Sequence, residues 1–205
     1  MMSAEEKAAW LSARAGKLTA SRMNDAMAFL KNGEPAAART QYMRELLAER
    51  LTGLSVSHVV TDPMLWGAEH EDEAVDLFVE RTGRVVHLSR FYEHATIENF
   101  GATPDRELDE GLLEVKCPTT ATFIEWTIAG VVPEKHKAQM TAQLLCADRA
   151  WCGFIAYDPR VRDPKLQLFM RKFEPAAEER AKVLAAAVGF LDELDQMFDK
   201  FVTST

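Results

Sequence analysis

The chain has 205 residues, 47% of them hydrophobic and 27% charged, which is enough to bury a core without disulfide or metal staples and points to one domain spanning 1–205. Its 32 Asp and Glu against 24 Lys and Arg give a formal charge of −8. That balance argues against a protein that coats nucleic acid non-specifically, but not against a local basic groove. The longest apolar run, Val183 to Leu191, is far too short to span a bilayer. The opening MMSAEEKAAW carries acids where a signal peptide needs a basic start. Cys117, Cys146 and Cys152 are odd in number and lack C-x-x-C spacing, so free thiols in a reducing cytoplasm are expected and a structural zinc is not.

In chain order, the segment to Arg14 reads as a helix. Thr19-Ala20-Ser21 precedes a run through Met23, Met27 and Leu30, so Thr19 or Ser21 is a candidate N-cap for a helix ending at Asn32-Gly33. Pro35 opens another helix, with Tyr42, Leu46, Leu47 and Leu51 at helical spacing until Gly53. A polar connector holding Pro63 leads to a helix from Trp66 to Arg81, stopped at Gly83. Val85–Leu88, Asn99–Thr103 and Leu112–Cys117 read as strands, Thr119–Ala129 and Glu134–Cys146 as helices. Ala150–Tyr157 and Leu166–Phe173 read as further strands, and Pro175–Phe201 as a long amphipathic helix. Helices on both sides of a mixed central sheet make an α/β (α+β) domain.

The chemistry centres on Pro104-Asp105 and Glu114-Val115-Lys116. Side chains alternate along a strand, so Glu114 and Lys116 share one face while Leu113, Val115 and Cys117 face the core. Asp105 lies nine residues before Glu114 across a Gly-containing turn, and a hairpin between the two extended pieces would bring them together. Two carboxylates and an ammonium at a sheet edge suit a hard divalent cation, to which the Val115 carbonyl offers another oxygen. A solvated Glu–Lys pair is the plain alternative. Glu71, in an acid-rich helix, borders the apolar stripe of Ala74 and is a further candidate ligand. Gln139 and Gln143 lie one helical turn apart and could hold a phosphate, a water or a base, or sit on the surface.

These residues fall into a pattern. Trp10, Arg14, Gly16 and Thr19-Ala20-Ser21, then Leu46-Leu47-Ala48-Glu49 with Thr52-Gly53, then Trp66-Gly67 with Glu71 occur in order. Pro104-Asp105, Glu114-Val115-Lys116-Cys117-Pro118, Ala138-Gln139 and Tyr157-Asp158-Pro159-Arg160 follow. From Trp10 to Phe173 the chain resembles the lambda-exonuclease or YqaJ-like viral recombinase branch of the PD-(D/E)xK nucleases. The resemblance implies a Mg²⁺-dependent exonuclease that digests one strand of duplex DNA from its 5′ end. It implies two ions, with Mn²⁺ able to substitute, held by Asp105, Glu114, Val115 and Glu71. Lys116 would then be the catalytic lysine, Gln139 a support for catalysis, and Arg14 with Ser21 the grip on a terminal 5′-phosphate. Gln139 is followed by Met140-Thr141 rather than a second glutamine two residues on, which leaves Gln143 as a competing contact. The resemblance also implies a homotrimeric ring around double-stranded DNA ends, a single-strand annealing protein as partner, and a phage or prophage origin. A related endonuclease and a catalytically silent DNA-end-binding module are the competing functions.

Overall fold

The computed structural model describes residues 10–56 and 61–204. The parts of the predicted opening helix before residue 10, and of the connector at 57–60, lie outside the described residues.

Two sheets organise the chain. A three-stranded sheet has the order β1 (Leu18–Thr19), β4 (Phe100–Ala102), β3 (Tyr92–Glu93), with β1 parallel and β3 antiparallel to β4. A five-stranded sheet has the order β2 (Val86–Leu88), β5 (Arg106–Leu108), β6 (Gly111–Lys116), β7 (Cys152–Tyr157), β8 (Leu168–Phe173). Only β6 and β7 run parallel there. A parallel pair needs a long crossover, and α4 (Thr120–Ala129) and α5 (Glu134–Cys146) supply it.

Both faces of this central pair are covered, which accounts for the apolar character of β7, CGFIAY. On one face Leu112, Phe154 and Ala156 pack against Phe123, Trp126, Met140 and Leu144 of α4 and α5. On the other, Leu113, Val115 and Ile155 meet Ala74, Val75 and Phe78 of α3 (Asp62–Thr82). A third core joins Leu18, Met23, Tyr42, Leu46 and Phe100 to Phe190, Leu191 and Leu194. These last three belong to α6 (Ala177–Thr203), and Tyr42 and Leu46 to α2 (Ala37–Thr52). The three cysteines are free, and among the described residues no helix is long and apolar enough to cross a membrane.

Several expectations change. Thr19 ends strand β1 and precedes a 3₁₀ turn without a side-chain capping bond: it pairs with Gly101, and its hydroxyl lies 3.4 Å from both the Tyr42 and the Ser21 hydroxyl. The helix expected through Leu30 is one turn, α1 (Met23–Ala26), after a 3₁₀ turn at Ala20–Arg22. Pro63 sits inside the first turn of α3, where its missing N–H costs nothing. Gly53 and Gly83 do stop their helices, at φ of 68° and 66°, a left-handed conformation in which a Cβ would be strained.

Candidate active site

The predicted hairpin exists with a different first strand. β4, the extended piece at Asn99–Thr103, belongs to the small sheet, and it is β5 that turns back onto β6. Arg106 pairs with Leu113, so Asp105 stands one step on, opposite Glu114. Nor is the site at a sheet edge, because β6 is the third strand of five. The burial of both faces carries Glu114 into the interior with its partners: the residue is 0% exposed.

A carboxylate so placed must be satisfied by donors, or its desolvation is prohibitive. Gln139 Nε2 donates to Glu114 Oε1 at 2.7 Å, and Gln143 Nε2 donates to Oε2 at 2.6 Å. Both glutamines therefore touch the site, one on each oxygen. The Lys116 ammonium contacts Glu114 Oε1 and lies 3.7 Å from Asp105 Oδ2. Asp105 Oδ2 also accepts the Val115 N–H at 2.7 Å. In an extended strand the N–H and C=O of one residue point to the same side, so the Val115 carbonyl lies toward Asp105 as well.

Negative charge is in excess. Burial, then the Glu114 carboxylate, pushes the Asp105 carboxyl up to about 6. Burial, then Asp105, raises that of Glu71. The surrounding carboxylates, Glu114 first, raise the Lys116 ammonium against the opposing effect of burial. The groups here that could bind a cation, the Asp105 and Glu114 carboxylates and the Val115 carbonyl, offer only oxygens, the chemistry of a hard divalent cation. The residues present thus fit such an ion through Asp105, Glu114 and the Val115 carbonyl. Among the described residues no three His, Cys, Asp or Glu side chains already form a cluster that would hold a metal. Glu71 Oε1 is taken by Arg106 Nη1. Sequence reading missed Arg106; its signal was a lone cation directly after Asp105 in an acidic neighbourhood.

Arg14 and Ser21 come together with Thr103. Arg14 donates to Thr103 Oγ1 at 3.4 Å and to Ser21 Oγ at 3.5 Å, while its guanidinium lies 4.1 Å from the Trp10 ring centroid. Trp10 Nε1 donates to the same Thr103 hydroxyl at 3.2 Å. Thr103 is two residues before Asp105, and sequence reading missed it too. Arg14 makes no ion pair among the described residues, and burial lowers its pKa.

Three further motifs meet at the end of β6, while Glu49 of Leu46-Leu47-Ala48-Glu49 accepts the Gly16 N–H at 2.8 Å. Arg160 Nε donates to Asp158 Oδ1 at 2.6 Å, and Nη2 donates to the Pro118 carbonyl at 2.7 Å. Its guanidinium lies 4.4 Å from the Trp66 ring centroid, and the Tyr157 hydroxyl donates to Glu73 at 3.2 Å. Y-D-P-R, W-G and E-x-K-C-P therefore meet at one place.

Comparison with known proteins agrees with this fold. The chain is similar to an alkaline exonuclease from Laribacter hongkongensis, LHK-Exo, at 35% identity over 96% of both chains with a TM-score of 0.86. Its complex with dAMP matches at the same identity and coverage with a TM-score of 0.87. A phage-related exonuclease from Haemophilus somnus 129PT shares the fold at 14% identity, over 90% of this chain and 96% of that one, with a TM-score of 0.68. No curated protein sequence matches the chain. The likenesses support a nuclease function on a PD-(D/E)xK fold. With a YqaJ-like viral recombinase domain matched over residues 9–150, the chain belongs to that family.

Proposed function

We propose that the chain is a single exonuclease domain that digests one strand of duplex DNA in the 5′→3′ direction and leaves 3′ single-stranded overhangs for annealing recombination. The observation that carries this reading is the contact of one ammonium, Lys116 Nζ, with the carboxylates of both Asp105 and Glu114. Asp105, Glu114 and the Val115 carbonyl would hold Mg²⁺, with Glu71 completing a second position once DNA is bound. The bound ions would polarise the phosphodiester and lower the pKa of water near neutral pH.

The chain's own groups do the rest. Gln139 and Gln143 fix both oxygens of Glu114, so that carboxylate needs no reorganisation during the reaction. Lys116, held between the acids, would orient the attacking water and offset negative charge at the phosphorus. The Arg14 fork and the Ser21 hydroxyl would take a terminal 5′-phosphate, which meets a guanidinium at two oxygens. A ring of three copies around the duplex, an annealing protein on the exposed strand, and a cytoplasmic site of action in a phage-carrying bacterial cell complete the proposal.

A digestion time course on linear duplex labelled at either 5′ or 3′ end tests it. Early release of the 5′ label in Mg²⁺, none in chelator, and resistance of closed circular duplex are expected. Release from 3′ ends, or equal cutting of circles, contradicts the proposal.

A further inference from the structure

We propose that Arg106 is a positioning residue that reserves Glu71, so that the DNA-free centre takes up one divalent cation and the second joins only with substrate. This rests on reading Asp105 and Glu114 as a metal centre.

The Arg106 side chain is 14% exposed, and both arms of its fork are engaged. Nη1 donates to Glu71 Oε1 and, at 2.7 Å, to the backbone carbonyl of Asp105. Nη2 donates to Asp72 Oδ1 at 2.6 Å. One guanidinium thus spans neighbouring carboxylates of α3 and the backbone of the residue that begins the acidic centre. A planar, permanently charged fork keeps such a set together where a lysine would not.

The charges then divide into two groups. Lys116 serves Asp105 and Glu114, while Arg106 serves Glu71 and Asp72. Four carboxylates against two cations leave a formal surplus of two negative charges, the charge of one divalent ion. Asp72 is 82% exposed and screened by solvent, so this surplus is an upper limit. A second ion would face two fixed cations and an already committed Glu71. A DNA phosphate changes both conditions, since it brings further negative charge and further oxygens. A clamp that merely tied α3 to β5 would affect folding but not the number of ions bound.

Calorimetric titration of Mn²⁺ into the full-length, DNA-free protein separates these possibilities, with circular dichroism confirming folding. Wild type should bind one ion. Arg106→Gln, which keeps hydrogen-bonding capacity but loses the charge, should bind a second ion at least about tenfold more tightly than wild type does. An unchanged isotherm in folded R106Q overturns the proposal. Glu71→Gln provides a route that does not depend on the fold of R106Q. Because Glu71 lends that ion charge but no ligand oxygen, E71Q should weaken DNA-free Mn²⁺ binding by only a few-fold, less than about tenfold, and leave the count at one. A tenfold loss in E71Q overturns the proposal while leaving the metal centre intact. Absence of Mn²⁺ binding to wild type, or Asp105→Asn binding as wild type does, instead overturns the metal-centre reading and this inference with it.

Discussion

The two halves of the site are built to opposite tolerances. At the end of β6, each oxygen of Glu114 has a donor within 2.7 Å, and Asp105 is pinned by a backbone N–H. Arg14, by contrast, touches two hydroxyls at 3.4 and 3.5 Å, the limit of hydrogen bonding, and makes no ion pair among the described residues. The first arrangement is closed and rigid, as charge stabilisation requires. The second is incomplete, with a cation whose present partners are easily exchanged. On the proposed reading the contrast separates the centre of the chemistry from the grip for a terminal phosphate, and each can be disturbed alone.

The largest effect belongs to Lys116. Lys116→Ala should lower the rate of nucleotide release by about a thousandfold, the scale seen when a single preorganised charge stabiliser is removed. DNA binding, measured by fluorescence anisotropy in Ca²⁺, should persist. Loss of both together would place Lys116 in binding rather than chemistry.

The glutamines sharpen the comparison within the rigid half. Gln143 is 1% exposed, whereas Gln139 is only half-buried. Gln143→Leu leaves Glu114 Oε2 without its donor in the interior, at a cost of about 2–3 kcal/mol in denaturant unfolding. Gln139→Leu should cost less, because water can replace its amide, while still slowing turnover. Equal destabilisation by the two would show that water reaches both oxygens.

The loose half should respond more mildly. Arg14→Ala should cut the preference for 5′-phosphorylated over 5′-hydroxyl ends by about tenfold, the worth of one charge-assisted pair. Digestion once under way should be little altered, since the end contact is separate from the acid–lysine centre. Competition between the two kinds of labelled end measures this directly. An unaltered preference assigns end recognition to another group.

What could be read from the chain differs between the halves for a physical reason. The pairing of Glu114 with Lys116 follows from strand periodicity, and helix α5 has the bounds expected of it, Glu134–Cys146. Burial of both faces of β6 was not legible, because one strand's pattern does not reveal what covers its polar side. That is why Glu114 reads as a surface acid, although its amide partners hold it in the core. The strand Arg106–Leu108 is three residues long and mostly polar, too short to register against the turn that follows. Without it Arg106 has no visible place, and Asp105 reaches Glu114 through the wrong strand. Thr103 is an ordinary threonine until the small sheet sets it against Trp10 and Arg14.

His136 offers the smallest effect and tests the rigid half from behind. It stands in the first turn of α5, with its ring 5.3 Å from that of Trp126 and 5.4 Å from that of Phe154. Burial, then the charges of Lys116 and Lys135, lower its pKa to about 3. The folded state therefore refuses a proton that the unfolded chain accepts near pH 6.5. Its contribution to stability is complete above that value and declines as the pH falls from 6.5 toward 3. Thermal unfolding of wild type should thus weaken between pH 7 and pH 5 more than that of His136→Phe, which keeps a ring against Trp126 and Phe154 but cannot titrate. The difference should stay under about 1 kcal/mol per pH unit, because the imidazole is only partly buried. Parallel curves would mean that the imidazole takes up its proton in place, with Lys116 too well neutralised by Glu114 and Asp105 to oppose it.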